Sequence, residues 1–264
     1  MSAAILTDLT KCIGCGACVM ACEQINGLPA NGHPTKLSDT AWTIVRQHRG
    51  VNIRQQCMHC LDPACVSACP VKALQKTPEG PVIYEESRCI GCRYCMLACP
   101  FGIPTYEWGE AHPKVQKCIL CFEKRLREGG EPACTSVCPT GATTFGDRDA
   151  LVAEAHRRIA TAPDRYVDHI YGLEEAGGTS VLYLSAVPFA ELGFPADVDS
   201  EPYPKLTWDI LSEIPNVVGV GGVALAGIYW VINRRITMER TRGAESVEDG
   251  MADEAPVAGG EYGS

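Results

Sequence analysis

Every cysteine in this chain belongs to a quartet. Sixteen occur in 264 residues: Cys12, Cys15, Cys18 and Cys22; Cys57, Cys60, Cys65 and Cys69; Cys89, Cys92, Cys95 and Cys99; Cys118, Cys121, Cys134 and Cys138. Disulfide scaffolds are small secreted domains with dispersed cysteines. Repeated C-x-x-C pairs point to metal instead. Adjacent thiolates converge on one centre without strain, whereas a disulfide demands a particular Cα separation. The fold must therefore arrange itself around bound centres as well as a hydrophobic core.

The spacing says which centre. The third quartet, Cys89 to Pro100, is C-x2-C-x2-C-x3-C-P, the bacterial ferredoxin run for [4Fe–4S] iron. The first has the same cysteine spacing, with Glu23 in place of proline. The second has an x4 spacer and the fourth an x12 spacer, and both end in Cys-Pro. Three close thiolates cap one face of a cubane, and the fourth ligates the other cluster of a pair. Structural zinc fits poorly, because it prefers two well-separated knuckles. Gly14 and Gly91 are expected to let the backbone approach a cluster. Lys11, Arg88 and Lys117 each precede the first cysteine of a quartet, where a cation would raise a cluster's potential or simply be solvated. His59, inside the Cys57–Cys60 loop, is expected to pack or hydrogen-bond, with ligation as the alternative.

Short β-like runs at Ala3–Thr7 and Val82–Tyr84 precede the first and third quartets, each followed by a loop and a short helical stretch, so the fold class is α+β. Asp149 looks like the N-cap of a helix carrying Leu151, Val152, Ala155 and Ile159 and ending before Pro163. Val181–Leu184 reads as a strand, in a segment lying on a partner or on the core. Ile214 to Ile232 is uncharged for 19 residues, about 28 Å as a helix, close to a bilayer's hydrocarbon thickness. Trp208, Tyr229 and Trp230 sit where interfacial aromatics belong. Gly219, Gly222 and Ala226 share a face on which another helix could pack closely. Arg234, Arg235, Arg240 and Arg242 follow the span and only Lys205 precedes it. The C-terminus is thus expected in the cytoplasm and the cysteine domain on the periplasmic or outer face of the cytoplasmic membrane. No signal peptide is visible in the first residues. The net charge is −9; the stretch 243–264 holds six of the acids and no Lys or Arg, which leaves −3 for the rest. No nucleic-acid surface is implied, and the acidic tail is expected to be disordered.

"CIGCGACVMACEQIN", "CMHCLDPACVSACPVKAL", "RCIGCRYCMLACPFGIPTY" and "KCILCFEKRLREGGEPACTSVCPTGA" together resemble the four-cluster iron–sulfur subunits of molybdopterin oxidoreductases and membrane hydrogenases, over about residues 4–235. "GGTSVLYLSAVPFAELGFP" followed by one span resembles the membrane-anchored branch, which includes the beta subunit of respiratory formate dehydrogenase and the ferredoxin-like subunit of quinone-linked uptake [NiFe] hydrogenase. The resemblance implies four [4Fe–4S] clusters in two interleaved ferredoxin-like modules plus one C-terminal transmembrane helix. The first module is 1–50 with 105–148, and the inserted one is 51–104. A partner-contacting extension (149–207), a transmembrane anchor (208–235) and the acidic tail (236–264) follow. It implies the ligand sets Cys12, Cys15, Cys18 with Cys138 (cluster 1); Cys57, Cys60, Cys65 with Cys99 (cluster 2); Cys89, Cys92, Cys95 with Cys69 (cluster 3); and Cys118, Cys121, Cys134 with Cys22 (cluster 4). The chain would be a non-catalytic electron-transfer subunit. Its partners would be a catalytic subunit of hydrogenase or molybdopterin type and an integral membrane quinone-binding subunit. Export would be as a folded passenger of a partner bearing a twin-arginine signal. The alternatives are a free-standing membrane-tethered polyferredoxin and a zinc-stapled adaptor.

Overall fold

In a computed structural model, which describes residues 2–252, a three-stranded sheet separates a helix from the cysteines. Its central strand is β1 (Ala3–Asp8). Strand period two decides what each side meets. Ala4 and Leu6 point to one apolar layer, and Ile5 to another that contains Cys57, Cys118 and Cys134. Both faces are covered, so the strand reads as a nearly continuous apolar run.

The elements between follow the quartets. Helix α1 (Ala17–Asn26) opens with Cys18 and also carries Cys22. Strands β2 (Ile44–His48) and β3 (Val51–Gln55) form a hairpin closed by Arg49 and Gly50, at φ 47° and 77°. Positive φ at both positions is the two-residue turn that matches strand twist. Helix α2 (Ala64–Ser67) carries Cys65, and β4 (Leu74–Lys76) pairs with β5 (Val82–Tyr84). Helix α3 (Tyr94–Ala98) carries Cys95, and β6 (Thr105–Tyr106) pairs with β7 (Val115–Gln116). Helix α4 (Ala133–Ser136) carries Cys134. In each quartet the third cysteine thus sits in the first turn of a short helix. Helix α1 packs on α4, and α2 on α3.

Strand β8 (Thr143–Asp147) returns antiparallel to β1, and helix α5 (Arg148–Thr161) follows at once. Its N-cap is Asp147, whose carboxylate accepts from the Asp149 N–H at 3.2 Å. Asp149, expected to be the cap, lies inside the first turn, because β8 hands directly to the helix. Leu151, Ala155 and Ile159 bury the stripe that meets Ala4 and Leu6. Asp8 is fully buried at the edge of this layer, accepting from Tyr166 at 2.8 Å and Arg158 at 3.2 Å.

Strand β9 (Val181–Leu184) runs parallel to β1 on its other edge, and all four residues are buried. Val181 and Tyr183 face the cysteines, and Leu182 and Leu184 face α5. Tyr171, Phe189 and Phe194 close the cysteine layer, with ring centroids 4.8–5.2 Å apart. Of the segment expected to lie on a partner or on the core, this part packs on the core, where it supplies a buried edge strand and an aromatic cluster.

Contacts divide the chain between Thr207 and Trp208. Helix α6 (Tyr203–Leu211) crosses that boundary, and the second unit is chiefly helix α7 (Ile214–Ala252). The helical stretch Tyr203–Arg240 contains an 18-residue window of mean hydropathy 1.6, none of it buried, so it is long and apolar enough to cross a membrane. The Arg234 guanidinium lies 5.3 Å over the Trp230 ring where the apolar run ends. The helix continues past Arg235 to Ala252, where a disordered tail was expected: no proline interrupts the sequence between Pro215 and Pro256. Residues 253–264 of that expected tail lie outside the described residues.

The cap makes a prediction. Asp147→Ala should lower stability by about 0.5–2 kcal/mol, read as the midpoint of thermal unfolding, and Asp149→Ala should leave it within about 0.5 kcal/mol.

Candidate metal centres

Each quartet begins with the same backbone device. The residue before the second cysteine is left-handed in all four: Gly14 (φ 74°), His59 (51°), Gly91 (70°) and Leu120 (57°). Two loops use glycine, and two hold an L-residue in a conformation that costs roughly 1–2 kcal/mol. Where glycine occurs, space also demands it. A Cβ at Gly14 would lie 2.8 Å from Asn52 Oδ1, and one at Gly91 would lie 2.8 Å from the Pro113 carbonyl oxygen. The close approach is thus to protein on the outer side of the loop. Asn52 Nδ2 also donates to the Cys12 carbonyl at 2.9 Å, tying the first loop to β3.

All sixteen thiols are free among the described residues. A small cavity is lined by Cys12, Cys15, Cys18 and Cys138, together with Thr7 and Arg54. Burial raises the Cys12 pKa, and Cys18, Cys138 and Cys15 beside it raise it further. Burial pushes Cys22 up to about 11, with Cys134 and Cys121 adding to the shift. Cys60 is raised by burial and then by Cys57, Cys99 and Cys65. Cys95 is raised by burial, opposed by the Tyr106 hydroxyl and reinforced by Cys92, Cys69 and Cys89. The last cysteine of each quartet thus stands beside the leading cysteines of a different quartet. Three through-space charge interactions also link one such group to the next: Cys18 feels Cys134, Cys118 feels Cys57, and Cys65 feels Cys95.

Crowded, buried thiols resist ionisation because each new charge meets low dielectric and like neighbours. Such a site suits a cation that takes the thiolates and expels their protons. The donors around the sulfurs fit an iron–sulfur group too. Arg54 Nη2 donates to Cys134 Sγ at 2.8 Å, the Ala73 N–H to Cys69 Sγ at 3.2 Å and the Leu120 N–H to Cys118 Sγ at 3.3 Å. Tyr106 Oη lies 3.0 Å from Cys95 Sγ. Gln56 Nε2 and His59 Nε2 are buried without a hydrogen-bond partner among the described residues, as donors facing cluster sulfide would be.

The flanking residues sort themselves by burial. His59 is fully buried, its Nδ1 accepts from the Val82 N–H at 2.9 Å, and burial with Lys117 and Lys76 nearby lowers its pKa, so it is neutral. Lys117 is buried, donating to the Val82 carbonyl at 2.6 Å and the Cys118 carbonyl at 3.0 Å. Lys11 and Arg88 are surface side chains that pair with Asp8 and Glu85. Glu23, standing where the other quartets have or tolerate proline, is buried and accepts from the Asn31 N–H at 3.1 Å. Sequence reasoning missed Arg54, Gln56 and Asn52. They lie on or just after β3, outside any cysteine motif, and no spacing marks them.

Comparison with known proteins agrees with this geometry. Two matches to a 4Fe-4S dicluster domain cover residues 51–148 and 11–74. The hydrogenase-2 operon protein HybA of Escherichia coli O157:H7 is 41% identical over 74% of this chain and 73% of its own length. The chain belongs to this family of 4Fe–4S dicluster iron–sulfur proteins. A formate dehydrogenase iron-sulfur subunit of Haemophilus influenzae is 34% identical over 84% of the chain and 78% of its own length. A protein of Nitratidesulfovibrio vulgaris is 42% identical over 94% and 71%. Two dicluster domains and sixteen cysteines make this family member a carrier of four [4Fe–4S] clusters.

Loop geometry yields a test. Gly91→Ala should lose about four irons of roughly sixteen, because its Cβ strikes backbone. Gly102→Ala, with positive φ but open space around it, should retain them. Iron and sulfide per chain, measured anaerobically, decide.

Proposed function

We propose that this chain relays single electrons between a catalytic subunit that oxidises a small donor, hydrogen or formate, and an integral membrane subunit that binds quinone. The observation that carries the reading is the serial placement of four cysteine groups, each close enough to the next for a cysteine of one to feel a cysteine of the other. Their neighbours support the ligand sets Cys12, Cys15, Cys18 with Cys138; Cys118, Cys121, Cys134 with Cys22; Cys57, Cys60, Cys65 with Cys99; and Cys89, Cys92, Cys95 with Cys69. The packing of α1 on α4 and of α2 on α3 supports two interleaved ferredoxin-like modules. The charge interactions between groups support the series 1–4–2–3, with exposed cysteines, Cys15 and Cys92, at its two ends. Exposed apolar side chains lie beside each end: Ile13 at one, and Ile90, Tyr94 and Leu97 at the other. These are surfaces suited to docking a donor and an acceptor.

Bound clusters supply one-electron carriers. The chain's own residues do the rest. Burial of Cys57, Cys118, Cys121 and Cys134 keeps water from the middle of the series. Backbone N–H groups and the Arg54, Tyr106 and Gln56 side chains set the local charge and polarity on which potential depends. The names of the relatives, a hydrogenase-2 operon protein and formate dehydrogenase iron-sulfur subunits, support the donor classes. Helix α7 supports a single-pass anchor. The arginines after its apolar run support a cytoplasmic C-terminus and a cysteine unit on the outer face.

Anaerobic purification from membranes tests the proposal. A catalytic and an integral subunit should accompany the chain, hydrogen or formate should bleach its visible absorption, and a quinone should restore it. Zinc without sulfide would end the reading. A fully loaded chain that purifies alone would replace it with a free polyferredoxin.

A further inference from the structure

Arg54 is fully buried, and among the described residues no carboxylate pairs with it. A guanidinium cannot shed its proton, and an unpaired buried charge is costly. Something near it must supply the compensating negative charge. Its hydrogen bonds go to Gln56 Oε1 and to Cys134 Sγ, the latter at 2.8 Å. Nε and Nη1 are buried with no acceptor at hydrogen-bonding geometry. The guanidinium also favours the Cys18 thiolate, and Arg54 lines the cavity shared by Cys12, Cys15, Cys18 and Cys138. It therefore stands between the first and fourth ligand sets, bonded to a sulfur of one and lining the cavity of the other.

The other basic residues of the interior differ. Lys76 donates to the Cys60 carbonyl at 2.7 Å, and Lys117 to the carbonyls of Val82 and Cys118. Lys117 and Lys114 favour the Cys65 and Cys89 thiolates through space only, and neutral groups hydrogen-bond other sulfurs, as Tyr106 does Cys95 and Asn26 Nδ2 does Cys22 at 3.5 Å. Among the described residues, Arg54 is the charged side chain that hydrogen-bonds a cysteine sulfur.

We propose that Arg54 is a fixed cation shared by clusters 1 and 4, which holds the reduction potentials of both above what their thiolates alone would give. The proposal rests on the ligand sets proposed above. Clusters held there would supply one-electron exchange with their neighbours, and Arg54 itself would exchange neither electron nor proton. Adding an electron adds negative charge, which a nearby fixed cation stabilises. The β2–β3 hairpin and Gln56 fix the guanidinium in place, so both potentials move together when it changes.

The test uses the full chain, purified anaerobically from membranes with whatever subunits accompany it. Arg54→Gln keeps a hydrogen-bond donor and removes the charge. An EPR-monitored redox titration should show clusters 1 and 4 lowered by at least tenfold in their one-electron equilibria, about 59 mV each, with clusters 2 and 3 unmoved. Full iron with four native potentials would overturn the proposal. Absent iron and sulfide in the unsubstituted chain would instead overturn the ligand sets. If Arg54→Gln does not load, unsubstituted protein labelled with 15N in its arginine guanidino groups decides. Hyperfine coupling of that nitrogen to two clusters is expected, and no coupling to either would overturn the proposal.

Discussion

Burying thiols in tight groups is unfavourable until something removes their protons, and the architecture follows from that constraint. Burial pushes Cys65 up to about 12 and Cys22 to about 11, with neighbouring thiols adding to both. A chain with its sixteen thiols protonated carries these groups as packed but polarisable interior. A chain with metal converts them into ligands, so binding and folding share one free energy. The last cysteine of each quartet stands beside another quartet's leading cysteines, and under the proposed ligand sets no quartet would close its site alone. Sequence-distant segments such as residues 12–22 and 118–138 must come together first. The sheet makes that meeting possible by pairing β1 with β8.

The protein handles charge with different donors along the proposed series. At one end, burial opposes ionisation of Cys138, yet Thr143, Thr140 and the Ala142 N–H bring it down to about 7. At the other, burial likewise opposes Cys89, and Tyr84 with the Val115 and Gly91 N–H groups lowers it. Between the ends, burial raises Cys99 and Cys134 although backbone N–H groups lower them as well, and a whole guanidinium is committed beside Cys134. Burial opposes the Arg54 charge, but Cys134 and Cys18 more than restore it.

Much of this was legible in the sequence, because cysteine spacing is a direct record of geometry. The quartets, the strands at Ala3–Asp8, Val82–Tyr84 and Val181–Leu184, and the apolar helix each left a local pattern. Arg54 did not, because burial of a charge depends on distant Cys18 and Cys134, which no window around residue 54 contains. The left-handed residues were half visible. Gly14 and Gly91 announce themselves, but His59 and Leu120 adopt the same backbone without the residue type that signals it. The displaced cap at Asp147 was hidden, and 166–194 was left between partner and core, for a related reason, since both depend on which strands pair with β1.

The exchange of fourth cysteines is the claim on which the modules, the series and the role of Arg54 all rest. The direct measurement is the EPR spectrum of single cysteine-to-serine variants of the loaded protein. Cys138→Ser and Cys15→Ser should alter the same cluster signal, and Cys22→Ser and Cys121→Ser should alter a different one. If Cys22→Ser and Cys15→Ser instead alter one signal in common, each quartet serves its own cluster and the account is wrong.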